Sequence, residues 1–170
     1  MRPHRRTGGK SGLSLFGDQS RVETRKPLAP GWFAFNGLAL RTQYHVADAL
    51  VHESIHSFLY IIEEKYHFLA DRSATGPIKV TSPWTGRVLD LHSFLHACHV
   101  WFGLWQFWGR AIHAGVFDES IARKYHDESR AGFDKPSLNE ALDRASRFLS
   151  TWTRDRLFEL VADVRRGVYG

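Results

Sequence analysis

The stretch Ala47-Asp48-Ala49-Leu50-Val51-His52-Glu53-Ser54-Ile55-His56 decides how this chain is read. From about Gln43 to Leu69, Val46, Leu50, Ile55, Leu59 and Ile62 recur at helical spacing and predict one long amphipathic helix. His52 and His56, four residues apart, share one face of it about one turn apart, a separation at which two imidazoles chelate a single metal ion. Glu53 stands beside the pair, within reach of a metal-bound water or a ligand. His45 and Glu63 extend the same polar stripe, because offsets of 7, 11 and 18 from His45 return to nearly one angle. An ordinary solvated face would favour Lys and Glu over histidine, so the stripe reads as a ligand face.

A second helix is predicted from about Val88 to Ala114, with Gly115 as its stop. From Leu91 to Trp108 almost every residue is apolar or small; the exceptions are His92, His96, His99 and Gln106, and Arg110 follows. These five fall in a band roughly 80° wide, with Gly103 leaving room inside it. A helix apolar nearly all round is buried, and histidines in a core need hydrogen bonds or a metal. The stripe offers His96 at its centre, with His92 and His99 a turn away on either side, and spacing leaves open which of the three meets the His52–His56 pair. The interrupting histidines make this stretch a poor membrane span and a plausible buried helix.

Working outward, the chain reads as mainly α: a single helical, metal-binding catalytic domain over 29–170, with minor short strands, preceded by a flexible basic arm over 1–28. Arg2, Arg5, Arg6, Lys10, Arg21, Arg25 and Lys26 face only Asp18 and Glu23, so much of the net charge of +5 sits in that arm. Such an arm suits an acidic partner, but no interleaved nucleic-acid pattern accompanies it, and nucleic acid is not expected. Gly31–Phe35 and Ile78-Lys79-Val80 are read as short strands, and 70–87 as a loop. Asp118 is expected to cap a helix ending near Ala131; a break follows at Asp134-Lys135-Pro136, then a capping box, Ser137-Leu138-Asn139-Glu140, opening one last helix towards Arg166. One cysteine, Cys98, excludes an internal disulfide and suits a reducing cytoplasm, and no secretory signal is visible. Trp84, Trp101, Trp105 and Trp108 are candidate walls of a cleft, with core packing the commoner use of such rings.

The spacing narrows the metal chemistry without deciding it. A metzincin would carry Gly and His three and six residues beyond the second histidine, where this chain has Leu59 and Ile62. A thermolysin-like site takes a Glu from a later helix, and the helix from Val88 to Ala114 has none. Three imidazoles beside a glutamate serve either zinc hydrolysis or non-haem Fe(II) oxidation.

The run Ala47–His56, then Ser82-Pro83-Trp84-Thr85-Gly86-Arg87, then Leu95-His96-Ala97 resembles the HExxH-type proteins that modify ribosomally made peptides, over roughly residues 30–110. Some of these are 2-oxoglutarate-dependent, iron-containing peptide β-hydroxylases. The resemblance implies that His52, His56 and His96 hold Fe(II) and that 2-oxoglutarate is the cosubstrate. It also implies a peptide substrate, with an arginine, Arg87 or Arg110, for the distal carboxylate. Arg110 lies about 20 Å along a straight helix from His96, which favours Arg87. In this chain Thr85-Gly86 separate Trp84 from Arg87, where family members usually have Arg directly after Trp.

Two other classes stay open on the residues alone. A zinc peptidase would use Glu53 as the general base on zinc-bound water. A helical binding module with core histidines would hold no metal.

Overall fold

The structure is a computed structural model that describes residues 42–71 and 78–168. The basic arm and the strand expected at Gly31–Phe35 lie outside the described residues. Within them the protein is mainly helical: α1 (Gln43–Lys65), β1 (Lys79–Thr81), β2 (Val88–Asp90), α2 (Leu91–Ala114), α3 (Glu119–Ala131), α4 (Pro136–Ser146) and α5 (Thr151–Arg166). The two strands form an antiparallel hairpin in which Val80 pairs with Leu89.

The central element is α2, as its all-round apolar sequence requires. It packs against α1, α3, α5 and the hairpin, and Phe94, Leu95, Cys98, Leu104, Trp105 and Trp108 on it are fully buried. Burial pushes the Cys98 thiol up, so it behaves as a small core hydrophobe. The helices α1 and α2 approach closely at Gly103, where a Cβ would meet Ile55 Cδ1 at 2.3 Å. The Trp108 indole donates to Asp48 Oδ1 at 2.9 Å, tying the two helices again one end further on.

Three boundaries differ from the sequence reading. α1 stops at Lys65 rather than near Leu69. Beyond it the backbone turns extended at Tyr66 and pairs with the α4–α5 connection, through Ala70 N to Phe148 O at 2.9 Å and Ser150 N to Phe68 O at 3.1 Å. These long-range bonds replace helical ones that residues 66–70 would otherwise make. α2 begins at Leu91, not Val88, because Val88–Asp90 is the second strand; Asp90 caps the helix by accepting from Ser93 N at 2.7 Å. The expected last helix is two. Pro136 opens α4 one residue before the expected capping box, which does not form, and Ser150 caps α5 by accepting from Thr153 N. The third helix is as read: Asp118 caps it and it ends at Ala131.

Trp84, Trp101, Trp105 and Trp108 take part in core packing. Trp84 stacks on Trp101, with ring centroids 5.8 Å apart, donates to Ser129 O at 2.9 Å, and covers Gly132 so closely that a Cβ there would lie 2.3 Å from the indole. The Pro-Trp loop is thereby clamped onto α2 and the end of α3. Trp105 and Trp108 are wholly in the core.

Candidate metal centre

The polar stripes of α1 and α2 face each other. His52, His56 and Glu63 project from α1; His92 and His96 project from α2. Their polar atoms form one continuous chain: His52 Nε2 to His56 Nε2 at 3.2 Å, His56 Nδ1 to His96 Nδ1 at 3.0 Å, His96 Nε2 to Glu63 Oε2 at 3.5 Å, and His92 Nε2 to Glu63 Oε2 at 2.8 Å. His96 is the pivot. One ring nitrogen meets the H-E-x-x-H pair and the other meets a carboxylate.

Glu63, His92 and His96 offer one donor atom each within 4.8 Å of one another. Glu63 and His96 are buried, at 7% and 2% exposure, and a carboxylate so buried needs a cation or donors to offset its desolvation. His96 Nε2 has no hydrogen-bond partner, since the 3.5 Å approach to Glu63 is too long for one. A buried, unpaired imidazole nitrogen aimed at a buried carboxylate, with a second imidazole beside it, fits a divalent cation. Two imidazoles and one carboxylate also suit a non-haem iron site.

Electrostatics favours the ligating form. Burial, then the neighbouring His92, pushes His96 down to about 4, against the upward pull of Glu63. Burial and then His52 lower His56, against Glu53. Both rings are therefore neutral at pH 7, the state in which imidazole binds metal.

Other expected residues are placed as follows. His99 turns away from the cluster. It donates from Nδ1 to Leu95 O at 2.8 Å and stacks on Phe68, with centroids 5.8 Å apart. Burial lowers it as well. The same Phe68 ring lies 5.9 Å from His96, so it separates the two histidines' surroundings. Glu53 is exposed on α1, and its charge acts on His56. Arg87 is an exposed residue at the end of the hairpin turn, held by backbone bonds to Ser82 and Thr85. Arg110 is exposed near the far end of α2.

The chain matches no protein-family model, no curated protein and no solved structure.

Glu63 is the cluster residue that spacing did not single out as a ligand. Its signal was present: it lies 7 residues beyond His56 on the same stripe, two helical turns along. What spacing did not show is that Glu63, rather than Glu53, is carried into the interior against α2.

Proposed function

We propose that this protein is a metal-dependent enzyme whose cation is held by His96 through Nε2, Glu63 and His92, with the His52–His56 pair fixing the His96 ring from its other nitrogen. The observation that carries this reading is the convergence of a buried carboxylate on an unpartnered buried imidazole nitrogen. The donor set supports Fe(II), and the resemblance to HExxH-type proteins supports hydroxylation of a ribosomally made peptide at a β-carbon with 2-oxoglutarate. Iron bound there would supply O₂ activation, one oxygen atom passing to the peptide and the other to 2-oxoglutarate, which leaves as succinate and CO₂. The chain's own contribution is positional. Phe68 and Tyr60 flank the His96 ring, at 5.9 and 5.0 Å between centroids, and limit water on that side. His56 fixes the ring's rotation and tautomer. Arg87 is the arginine we propose for the distal carboxylate. A cytoplasmic setting fits this chemistry, and no helix among the described residues is long and apolar enough to cross a membrane.

A second reading is favoured by Glu53, exposed next to His56: a zinc peptidase in which His52 and His56 ligate directly and Glu53 is the base. Anaerobic titration with Fe(II) and 2-oxoglutarate separates the readings. The oxygenase gives a visible charge-transfer band and, on admitting O₂, succinate. Tight zinc with peptide cleavage abolished in Glu53→Gln replaces that reading with the peptidase. No metal bound under either condition leaves a binding module.

A further inference from the structure

His99, turned away from the metal cluster, stands in the wall of a separate cavity of about 290 Å³ between α1, α2 and α5. The floor and sides of this cavity are apolar. Leu59, Phe68 and Leu160 are buried there, with Ile55, Ile62 and Phe102 around them. The rim is mixed. It carries the exposed rings of Phe58 and Trp152 and three charged residues of α5, Arg156, Glu159 and Asp163. Those charges are already matched along the helix. Arg156 Nη1 donates to Glu159 Oε2 at 2.6 Å, and Asp163 Oδ1 accepts from Arg166 Nη2 at 2.7 Å. The rim is therefore polar, with no excess charge to select a charged head group.

One polar atom of the wall is unmatched. His99 Nδ1 lies 2.8 Å from Leu95 O, and because a carbonyl only accepts, Nδ1 carries the proton. In the neutral ring Nε2 is then a bare acceptor. Burial first, and then the charge of Arg156, lower the ring's pKa against the Leu95 bond and keep it neutral at pH 7. Among the described residues Nε2 has no hydrogen-bond partner. With Nδ1 tied back to the α2 backbone, Nε2 lies across the ring from it, so it is the acceptor that the wall offers. Apolar sides with one placed polar atom are the make-up of a small-molecule site.

We propose that this cavity binds a neutral aromatic ring bearing one N–H or O–H donor, an indole or a phenol, with the donor on His99 Nε2 and the ring between Phe68, Phe102 and Ile62. The size agrees: a cavity of about 150 Å³ holds benzene, so one nearly twice as large takes a bicyclic ring. The donor is what distinguishes the ligand. A ring without one would cover Nε2 and leave it unpaired, which costs free energy. The balanced rim neither attracts nor repels a net charge on whatever the ring is attached to. Phe68 then divides two sites, with His96 and its cluster on one side and the aryl cavity on the other. The proposal is independent of which metal, if any, the cluster holds.

The test titrates the full chain with indole and with benzofuran, which has the same shape and no N–H donor. Indole should bind about tenfold more tightly. The ¹⁵N resonance of His99 Nε2 should move with indole and little with benzofuran, which places the ring in this cavity. His99→Phe keeps a ring against Phe68 and should remove the preference. Equal affinities, binding of neither compound, or a preference kept in His99→Phe would overturn the proposal. The comparison in the unaltered chain stands even where His99→Phe fails to fold. N-Acetyltryptophanamide separates the two sources of such a ring. Binding as tight as that of indole supports the site and assigns it to a peptide side chain; indole bound and the amide refused supports it as a site for a free small molecule.

Discussion

His56 and His96 meet nitrogen to nitrogen, Nδ1 against Nδ1 at 3.0 Å, across the α1–α2 interface. Two neutral imidazoles in that contact must share one proton, so one ring donates and the other accepts. His56 also meets His52 through Nε2. The tautomers of all three rings are therefore linked. Without metal, Glu63 favours a proton on His96 Nε2, which makes His96 Nδ1 the acceptor of His56 and His56 Nε2 the acceptor of His52. A cation on His96 Nε2 displaces that proton and reverses every donor in the row. Imidazole ¹⁵N shifts of the metal-free protein and of its Zn²⁺ form should show His56 and His96 exchanging tautomers. Unchanged shifts at His56 on metal addition would break the link.

The choice of ligands follows from variants. Glu63→Gln keeps the shape and removes the charge, and should weaken metal binding by about a hundredfold or more. His96→Ala should do the same. His52→Ala, acting only through His56, should weaken it by about tenfold. Competition against a chromogenic chelator reads all three. A loss in His52→Ala as large as in Glu63→Gln would move the cation to the H-E-x-x-H side of His96.

The metal-free protein should lose stability as pH falls. His96 has a folded value of about 4, below the usual 6.5, so its unfolded form binds protons more readily. Its contribution is complete above 6.5 and is lost as pH drops from there towards 4. His56 is shifted in the same direction. Between pH 7 and pH 4.5 the expected loss from His96 is about 2 kcal/mol. Urea denaturation at the two pH values measures it, and His96→Gln should flatten the difference.

Glycine substitutions separate two kinds of close contact. At Gly132 a Cβ would meet three atoms of the rigid Trp84 indole at 2.3 to 2.4 Å. Gly132→Ala should therefore push the Pro-Trp loop off α3 and cost about 2 kcal/mol. At Gly103 the nearest atom is Ile55 Cδ1, the free end of a side chain that can rotate. There the clash is offset by the roughly 1 kcal/mol that alanine gains in a helix, and Gly103→Ala should be close to neutral. Thermal melts of the two variants decide between them, and Ile55→Val should relieve any loss at Gly103 but none at Gly132.

Much of the fold was legible because it depends on local periodicity. The apolar spacing of α1, the all-round apolar character of α2 and the Asp118 cap of α3 each act within a few turns of chain. The boundaries that moved are those set by distant partners. Residues 66–70 leave the helix because Phe148 and Ser150 take up their backbone groups, and Val88–Asp90 is a strand because Lys79–Thr81 pairs with it.

The same division holds for the site. Spacing alone placed His52 and His56 on one face and put His92, His96 and His99 in one stripe, since helical geometry fixes those relations regardless of what packs nearby. Which histidines meet was decided only by the rotation of α2 against α1. That rotation turned His96 towards both the pair and Glu63, brought His92 alongside, and sent His99 behind Phe68. A stripe roughly 80° wide is broader than the line along which two helices touch, so residues that share it need not share a site.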